Sequence, residues 1–430
     1  MKQNSPHIIN ETDNPEAIVR SLGVAAKNAA NMIAQASTDQ INQTLKDLAQ
    51  ALSAGADDIM AANKKDVAAA QDKNLTPALI DRLTLTPDRI KSIAQSVLDI
   101  AGLDDPVGIV LETFDRPNGL KIEKISVPIG VLGMIYESRP NVTIDAAALC
   151  LKSHNAVILR GGSESFHSSR ALHQIVQQVL KNNNLPEASV SMVPSTDRAI
   201  VGAMLKAGDY IDVMIPRGGK GLTGRVMDEA KMPVFAHLDG NCHIFVHDSV
   251  KPDLAVEVIK NAKLRRTGIC GAAESLLFDQ NLDTDIAKQI VTTLLDQDCA
   301  VVGDAQAQKL DARITPATEE DWSTEYLDKK ISLKYVAGVD EAIDHINAYG
   351  SHHTDAILAE ETNAVQEFQK RVDSAIVMHN TSTQFADGGE FGFGAEIGIG
   401  TGKLHARGPV GVRQLTTFKY LVKGDGQLRP

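Results

Sequence analysis

From Val127 to Arg217 short apolar runs alternate with segments of helical spacing, and no other stretch restricts the fold as strongly. VPIGVLGMIY, AVILRG, VSMVP and DVMIPRGG read as strands, and Asp145 to Ser153, Ser165 to Asn182 and Asp197 to Lys206 read as helices. Apolar strands separated by helices indicate a parallel sheet with helices on both faces. Ligands of such sheets bind beyond the carboxyl ends of the strands. Three strand ends here are polar or glycine-rich: Tyr136-Glu137-Ser138-Arg139-Pro140-Asn141, Arg160-Gly161-Gly162-Ser163 and Pro216-Arg217-Gly218-Gly219-Lys220-Gly221. Each alone is an ordinary turn. Together, each with an Arg or Lys, they favour a phosphate-bearing ligand. No GxGxxG run follows these strands, so the commonest dinucleotide signature is absent.

The second constraint is Cys270, held between Gly268 and Gly271. Leu254, Val258 and Ala262 recur at helical spacing before it, and Ser275 to Phe278 reads as a buried strand after it. A side chain on such a loop is presented by a rigid scaffold. Lys263, Arg265 and Arg266 lie just upstream, and positive charge favours the nucleophilic thiolate. On these residues alone a buried, inert Cys is an equal reading.

Around these two features the chain is organised simply. Residues 14 to 103 read as a helical layer, with Ile41, Leu45, Leu48 and Leu52 on one face and Pro77 and Pro87 at helix starts. Val107 to Val127 alternates about an Arg116-Pro117-Asn118-Gly119 turn, which predicts a β-hairpin and an interface arm. PVFAHLDGNCHIFVHD reads as one strand, with His237, His243 and His247 on one face and Cys242 on the other, which predicts no metal site. Beyond the cysteine a second α/β unit follows: a helix at Ile286 to Asp296, strands at CAVVG and ISLKYVAG, a helix at Val339 to Tyr349, then TDAILAE, Glu361 to Val372 and SAIVMHN. Thr381 to Arg407 is a long glycine-rich run of a kind that is usually functional. QLTTFKYLV closes the chain as an alternating strand suited to pairing with the hairpin.

Composition narrows the function classes. The 430 residues suit two or three domains, and a net charge of −12 argues against nucleic acid or an anionic membrane as the main partner. Four scattered Cys with no CxxC pair suit a reducing cytoplasm rather than a disulfide framework or a zinc site. MKQNSPHIIN lacks a signal-peptide profile, and no apolar run nears the roughly 20 residues of a membrane helix. A cytoplasmic protein is expected.

Five stretches, in order, carry a resemblance: Tyr136-Glu137-Ser138-Arg139-Pro140-Asn141-Val142, Ile215-Pro216-Arg217-Gly218-Gly219, Gly268-Ile269-Cys270, Asp387-Gly388-Gly389-Glu390-Phe391-Gly392-Phe393-Gly394-Ala395-Glu396 and Lys403-Leu404-His405-Ala406-Arg407-Gly408-Pro409. They resemble the gamma-glutamyl phosphate reductases, or glutamate-5-semialdehyde dehydrogenases, of the aldehyde dehydrogenase superfamily. The resemblance covers nearly the whole chain. It departs at Arg265-Arg266-Thr267-Gly268-Ile269-Cys270, where a Gln-Arg-Pro-Gly-Val-Cys-like run is usual. The Cys and the Gly two residues before it are kept.

The resemblance implies an α/β, aldehyde dehydrogenase-like fold with three parts. These are a Rossmann-like cofactor-binding domain (1–105 and 128–240), a second α/β catalytic domain (241–407) and a small β oligomerisation arm (106–127 and 408–430). It implies reduction of L-glutamyl 5-phosphate by NADPH to the semialdehyde, with phosphate release through a Cys270 thioester, in proline synthesis from glutamate. No metal is implied, glutamate 5-kinase is a candidate partner, and a homodimer or homotetramer is expected. Cys270 would be the nucleophile, with its own backbone N–H and Asn141 or Ser138 as oxyanion donors worth about 3 kcal/mol each. Chemistry favours Asn141 and superfamily spacing favours Ser138. Arg160 stands where a cofactor-binding Lys is common. Ser163 stands near a ribose-binding carboxylate of NAD-specific members, and its loss beside an Arg suits the 2′-phosphate of NADP. Pro216, Arg217, Gly218, Gly219 and Lys220 would lie at the pyrophosphate, and Glu325 would hold the nicotinamide ribose. Arg139 and Arg407 are candidates for the substrate phosphate or α-carboxylate, each equally readable as a surface ion pair. Glu137 and Glu396 would meet the substrate ammonium or cap loops. Hydrolytic relatives place a water-activating Glu where His237 stands, and His237 is expected to be structural. The rival readings are a hydrolytic aldehyde dehydrogenase and a non-catalytic nucleotide-binding partner.

Overall fold

The computed structural model describes residues 14–429, so the signal-peptide reading of the first ten residues lies outside the described residues. The chain divides into two compact units: one made of residues up to Ala236 with Gly392–Gly398 and Val410 onward, the other of His237–Phe391 with Ile399–Pro409.

The first unit opens with five helices, α1 (Pro15–Ile33), α2 (Thr38–Ala54), α3 (Ala56–Asp72), α4 (Pro77–Leu83) and α5 (Pro87–Ala101). Pro77 and Pro87 are the first helical residues, where a missing N–H costs nothing, and the Thr76 and Thr86 side chains accept from Leu79 and Arg89 N–H. Two strands follow, β1 (Val110–Asp115) and β2 (Lys121–Pro128), joined through a turn in which Gly119 takes φ +87°.

VPIGVLGMIY is not one strand. It breaks at Gly130 (φ +133°), where any Cβ would lie 2.4 Å from Asp212 Oδ2, and Asp212 instead accepts the Val131 N–H. β3 (Val131–Tyr136) then starts a different sheet. After it come α6 (Val142–Lys152), β4 (Ala156–Gly161), α7 (Phe166–Asn182), β5 (Val190–Met192), α8 (Ala199–Leu205), β6 (Val213–Arg217) and α9 (Lys220–Glu229). The order β5-β4-β3-β6, all parallel, reverses direction between β3 and β6, the position where such sheets bind ligands. Ile18, Leu22 and Ala26 of α1 are buried in one cluster with Val131, Ile135, Ile158, Ile200 and Met204.

The second unit is a seven-stranded parallel sheet. Its elements in chain order are β7 (Cys242–Val246), α10 (Pro252–Leu264), β8 (Ala273–Asp279), α11 (Thr284–Leu295), β9 (Ala300–Gly303), β10 (Thr315–Pro316), β11 (Lys330–Val336), α12 (Val339–Tyr349), β12 (Thr354–Leu358), α13 (Thr362–Arg371) and β13 (Ile376–His379). The strand order is β10-β9-β11-β8-β7-β12-β13. Its central strands β7, β8 and β12 are buried along their whole length, as a sheet covered on both faces requires. The glycine-rich run is mostly irregular, with one short pairing of β14 (Ile399–Gly400) and β15 (Gly408–Pro409).

The last strand, β16 (Thr416–Lys423), returns to the first unit and pairs antiparallel with β2 from Thr416↔Pro128 to Lys423↔Lys121, giving a sheet of order β1-β2-β16.

Candidate active site

Cys270 sits in the loop between α10 and β8, at the carboxyl end of a helix whose last carbonyls need partners. Gln384 supplies them: its amide N–H donates to the carbonyls of Asn261 (3.2 Å), Ala262 (2.8 Å) and Arg266 (3.3 Å), and its carbonyl accepts from Arg265 (3.2 Å). From the other side Gly240 lies flat against Cys270. A Cβ there would fall 2.1 Å from the Cys270 carbonyl oxygen and 2.6 Å from its Cα, so only glycine fits. The Gly240 N–H donates to Glu325 Oε1 at 2.8 Å, so Glu325 braces this loop.

Burial separates the four thiols. Cys150, Cys242 and Cys299 are buried and Cys270 is half-buried. Burial holds Cys150 far above the ordinary thiol range, pushes Cys299 up to about 11, and raises Cys242 well above its usual value. Cys242 stays a thiol and donates to the Cys270 carbonyl at 3.1 Å. Lys263 is fully buried and paired with Glu274 at 2.5 Å, where burial, partly offset by Lys263, raises the Glu274 carboxyl to about 7.

His237 is not on a strand with His243, because β7 begins only at Cys242 and the Gly240 contact ends any earlier extended run. His237 instead comes beside Cys270 together with His353, each offering one ligating atom within 4.8 Å of the others. Its Nδ1 donates to the Ile399 carbonyl at 2.9 Å, which fixes the tautomer and leaves Nε2 as an acceptor. The two imidazoles meet edge to face, ring centroids 5.0 Å apart. Burial, then His237, pushes His353 down to about 3, so it is neutral at physiological pH. Sequence reading missed His353, since His352-His353 before a strand carries no local signal of chemistry.

In the first unit the three glycine-rich ends are neighbours: Tyr136 is in register with Gly161 on one side and Arg217 on the other. Ser138 takes φ +50°, and both its N–H (2.7 Å) and its hydroxyl (2.8 Å) bond Glu164 Oε1. Asn141 opens α6 and donates to Asp145 Oδ2 at 2.8 Å. Burial raises the Asp145 carboxyl to about 6, against the opposing effects of Asn141 and Arg217. Glu137 accepts the Gly219 N–H at 3.3 Å, and a Cβ on Gly218 would strike it at 2.5 Å. Arg160 is 7 % exposed, donates through Nη2 to the Thr196 carbonyl at 2.9 Å, and keeps a buried Nε with no hydrogen-bond partner. Ser163 is exposed, and its hydroxyl reaches Glu164 at 3.4 Å. Lys220 starts α9 behind Gly219, where the positive helix end faces the β6 loop, and Pro216 is buried.

In the second unit Arg407 pairs with Asp373 (Oδ1 2.9 Å, carbonyl 3.1 Å), which Lys403 also holds at 2.6 Å. Arg139 and Glu396 are half-buried.

The aldehyde dehydrogenase family model matches residues 7–329. The chain is 55 % identical over 415 residues to the gamma-glutamyl phosphate reductase of Rhodopseudomonas palustris strain HaA2, covering 96 % of each chain. It is 54 % identical to that of Afipia carboxidovorans over 428 residues, 99 % of this chain and 100 % of the relative. The crystal structure of the Thermotoga maritima gamma-glutamyl phosphate reductase superposes with a TM-score of 0.94 at 42 % identity, covering 96 % of this chain and all of that one. No helix among the described residues is long and apolar enough to cross a membrane.

Proposed function

The chain belongs to the aldehyde dehydrogenase family and to its gamma-glutamyl phosphate reductases, and from that premise we propose a reaction course through a thioester on Cys270. The activity is the reductive step of proline biosynthesis. The observation that carries the course is the sorting of the thiols: three are buried, and the half-buried one sits in a braced loop beside two histidines.

L-Glutamyl 5-phosphate is an activated acyl group with a good leaving group. The Cys270 sulfur bonds the acyl carbon, the carbon–oxygen bond to phosphate breaks, and phosphate departs with that electron pair. The thiol proton passes to His237, which lies beside Cys270 and whose Nδ1 is held by the Ile399 carbonyl. NADPH, when bound, supplies the hydride that reduces the thioester carbon. Cys270 then leaves with the carbon–sulfur pair as the aldehyde forms. Asn141 is the side-chain oxyanion donor in this reading, because the Ser138 N–H and hydroxyl are both committed to Glu164. Asp145 orients the Asn141 amide.

The glycine-rich ends fit the cofactor. Gly219 and Gly221 have open space where a Cβ would stand, and the Arg160 Nε is an orphaned buried donor. We assign Arg160 and Ser163 to the 2′-phosphate, Arg217 and Lys220 to the pyrophosphate with Pro216, Gly218 and Gly219 shaping the turn, and Glu325 to the ribose. Arg139 and Glu396 take the charged ends of the substrate. Glu137 and Arg407 act through Gly219 and Asp373. Glutamate 5-kinase supplies the acyl phosphate in this scheme, the cytoplasm is its setting, and the protein works as a homo-oligomer.

The hydrolytic alternative is separable. A thioester that must survive until reduction tolerates no efficient water activator, so His237 does not activate water; its place beside Cys270 supports a role toward the thiol rather than the purely structural one expected from sequence. Oxidation of glutamate semialdehyde by NADP⁺ is expected to require phosphate or arsenate. Steady turnover to free glutamate in phosphate-free buffer would overturn this reading and place the chain with the hydrolytic enzymes.

A further inference from the structure

The trio of Cys270, His237 and His353 is more than proton transfer needs. A nucleophilic thiol requires one base, yet two imidazoles converge here, with one ligating atom from each of the three residues inside 4.8 Å. From this convergence we propose that Cys270, His237 and His353 form an inhibitory Zn²⁺ site that caps the nucleophile.

Three features support it. One thiolate with two neutral imidazoles is a donor set that zinc favours, and three protein ligands leave a fourth position open to water. Zn–S of about 2.3 Å and Zn–N of about 2.0–2.1 Å place tetrahedral ligands roughly 3.5 Å apart. The trio lies within 4.8 Å, and in this proposal the half-buried Cys270 side chain closes the remainder. Each histidine is also prepared as a ligand. His237 gives its Nδ1 proton to the Ile399 carbonyl, the outer-shell bond that orients metal-binding histidines and leaves Nε2 basic. His353 has no solvent-exposed surface, and its Nε2 has no hydrogen-bond partner, an orphaned donor–acceptor that a metal would satisfy. Its Nδ1 faces Thr354 Oγ1 at 2.9 Å.

The binding step balances simply. The Cys270 S–H bond breaks, one proton goes to solvent, and the sulfur pair bonds Zn²⁺ with no change of oxidation state. A sulfur pair engaged on zinc no longer attacks an acyl phosphate, so the ion is a reversible inhibitor and no part of turnover.

The test uses the full chain, freed of any affinity tag, and Zn²⁺ alone in chelator-buffered solution. One Zn²⁺ per chain is expected, with affinity falling at least about 10-fold in each of Cys270→Ser, His237→Gln and His353→Gln. Co²⁺ in place of zinc should give a thiolate charge-transfer band that Cys270→Ser abolishes. Wild-type turnover should fall on adding Zn²⁺ and return with chelator. Histidine variants that bind as wild type would reduce the site to a bare thiol and overturn the proposal. So would binding that survives Cys270→Ser but is lost in Cys242→Ser, or zinc that binds without inhibiting. If the buried His353→Gln chain fails to fold by circular dichroism, the half-buried His237→Gln and the Co²⁺ spectrum decide. None of the binding measurements uses substrate, so their failure leaves the phosphate-dependence test of the reaction untouched.

Discussion

Burial alone ranks the four thiols, and that ranking is the sharpest statement the molecule makes at the scale of single residues. Cys150, Cys242 and Cys299 are kept protonated by their surroundings and Cys270 is half-buried, so the proposed thioester falls to Cys270. Cys270→Ala should lower turnover by roughly 10⁴-fold or more while the NADPH dissociation constant, read by fluorescence titration, stays within a factor of two. Single-turnover reduction near the wild-type rate would end the thioester mechanism. Asp145 gives a prediction of opposite kind. Its folded carboxyl titrates near 6 against an ordinary value near 3.8, so the fold disfavours its charge. A raised folded value means that the contribution of Asp145 to stability is fully present below pH about 4 and is lost as pH rises through about 6. Asp145→Asn keeps an oxygen for the Asn141 amide and removes the charge. Its melting temperature should exceed that of wild type at pH 7.5, and the gain should vanish at pH 4. A gain that is the same at both pH values would show that the charge is not the cause.

At the scale of elements, the Cys270 loop depends on one glycine outside it. Gly240→Ala drives a Cβ into the Cys270 backbone, whose atoms have no flexible end to yield. We expect overpacking of about 1–3 kcal/mol by denaturant unfolding and a loss of kcat far larger than that stability loss explains. Gly402→Ala, with nothing within 4 Å of the new carbon, is the control and should behave as wild type. Equal effects at the two sites would remove Gly240 from the argument. The same loop shows what could and could not be read from sequence. Gly268 and Gly271 marked it, because glycines bounding a Cys between helical and strand patterns are a local signal. Gly240, Gln384 and His353 were invisible, since each acts across more than 25 residues and none breaks a local pattern. The strand reading of PVFAHLDGNCHIFVHD failed for the same reason: its alternation holds, but a long-range backbone contact at Gly240 overrides it. VPIGVLGMIY failed at Gly130, where Asp212 dictates the break from 82 residues away in sequence. α9 was missed because Lys220 to Glu229 carries only Leu222, Val226 and Met227 as large apolar residues, too few for a clear stripe.

For the molecule as a whole, the open question in physical terms is what covers the three-stranded sheet. The hairpin and the tail that pairs with it were legible, because a Pro-Asn-Gly turn and period-two alternation are both local signals. What the pairing leaves exposed was not. Phe418, Tyr420 and Val422 recur at period two on β16 and are 47 %, 54 % and 57 % exposed, and Val110 and Leu111 on β1 are 52 % and 53 % exposed. Both outer strands of the order β1-β2-β16 also present unpaired backbone groups. An apolar stripe along an open edge is costly in water and normally marks an interface. Charged neighbours on the same strands, Lys419, Lys423 and Glu123 among them, limit indiscriminate pairing and leave a specific copy-to-copy contact as the favoured use. Phe418→Glu with Tyr420→Glu places two carboxylates on that stripe without touching either parallel sheet. The wild-type chain should elute as a defined multimer by size exclusion with light scattering, and the double variant as a single chain with an unchanged far-ultraviolet circular dichroism spectrum. A wild-type chain that is already monomeric, or a double variant of unchanged mass, would show that this sheet does not join copies of the protein.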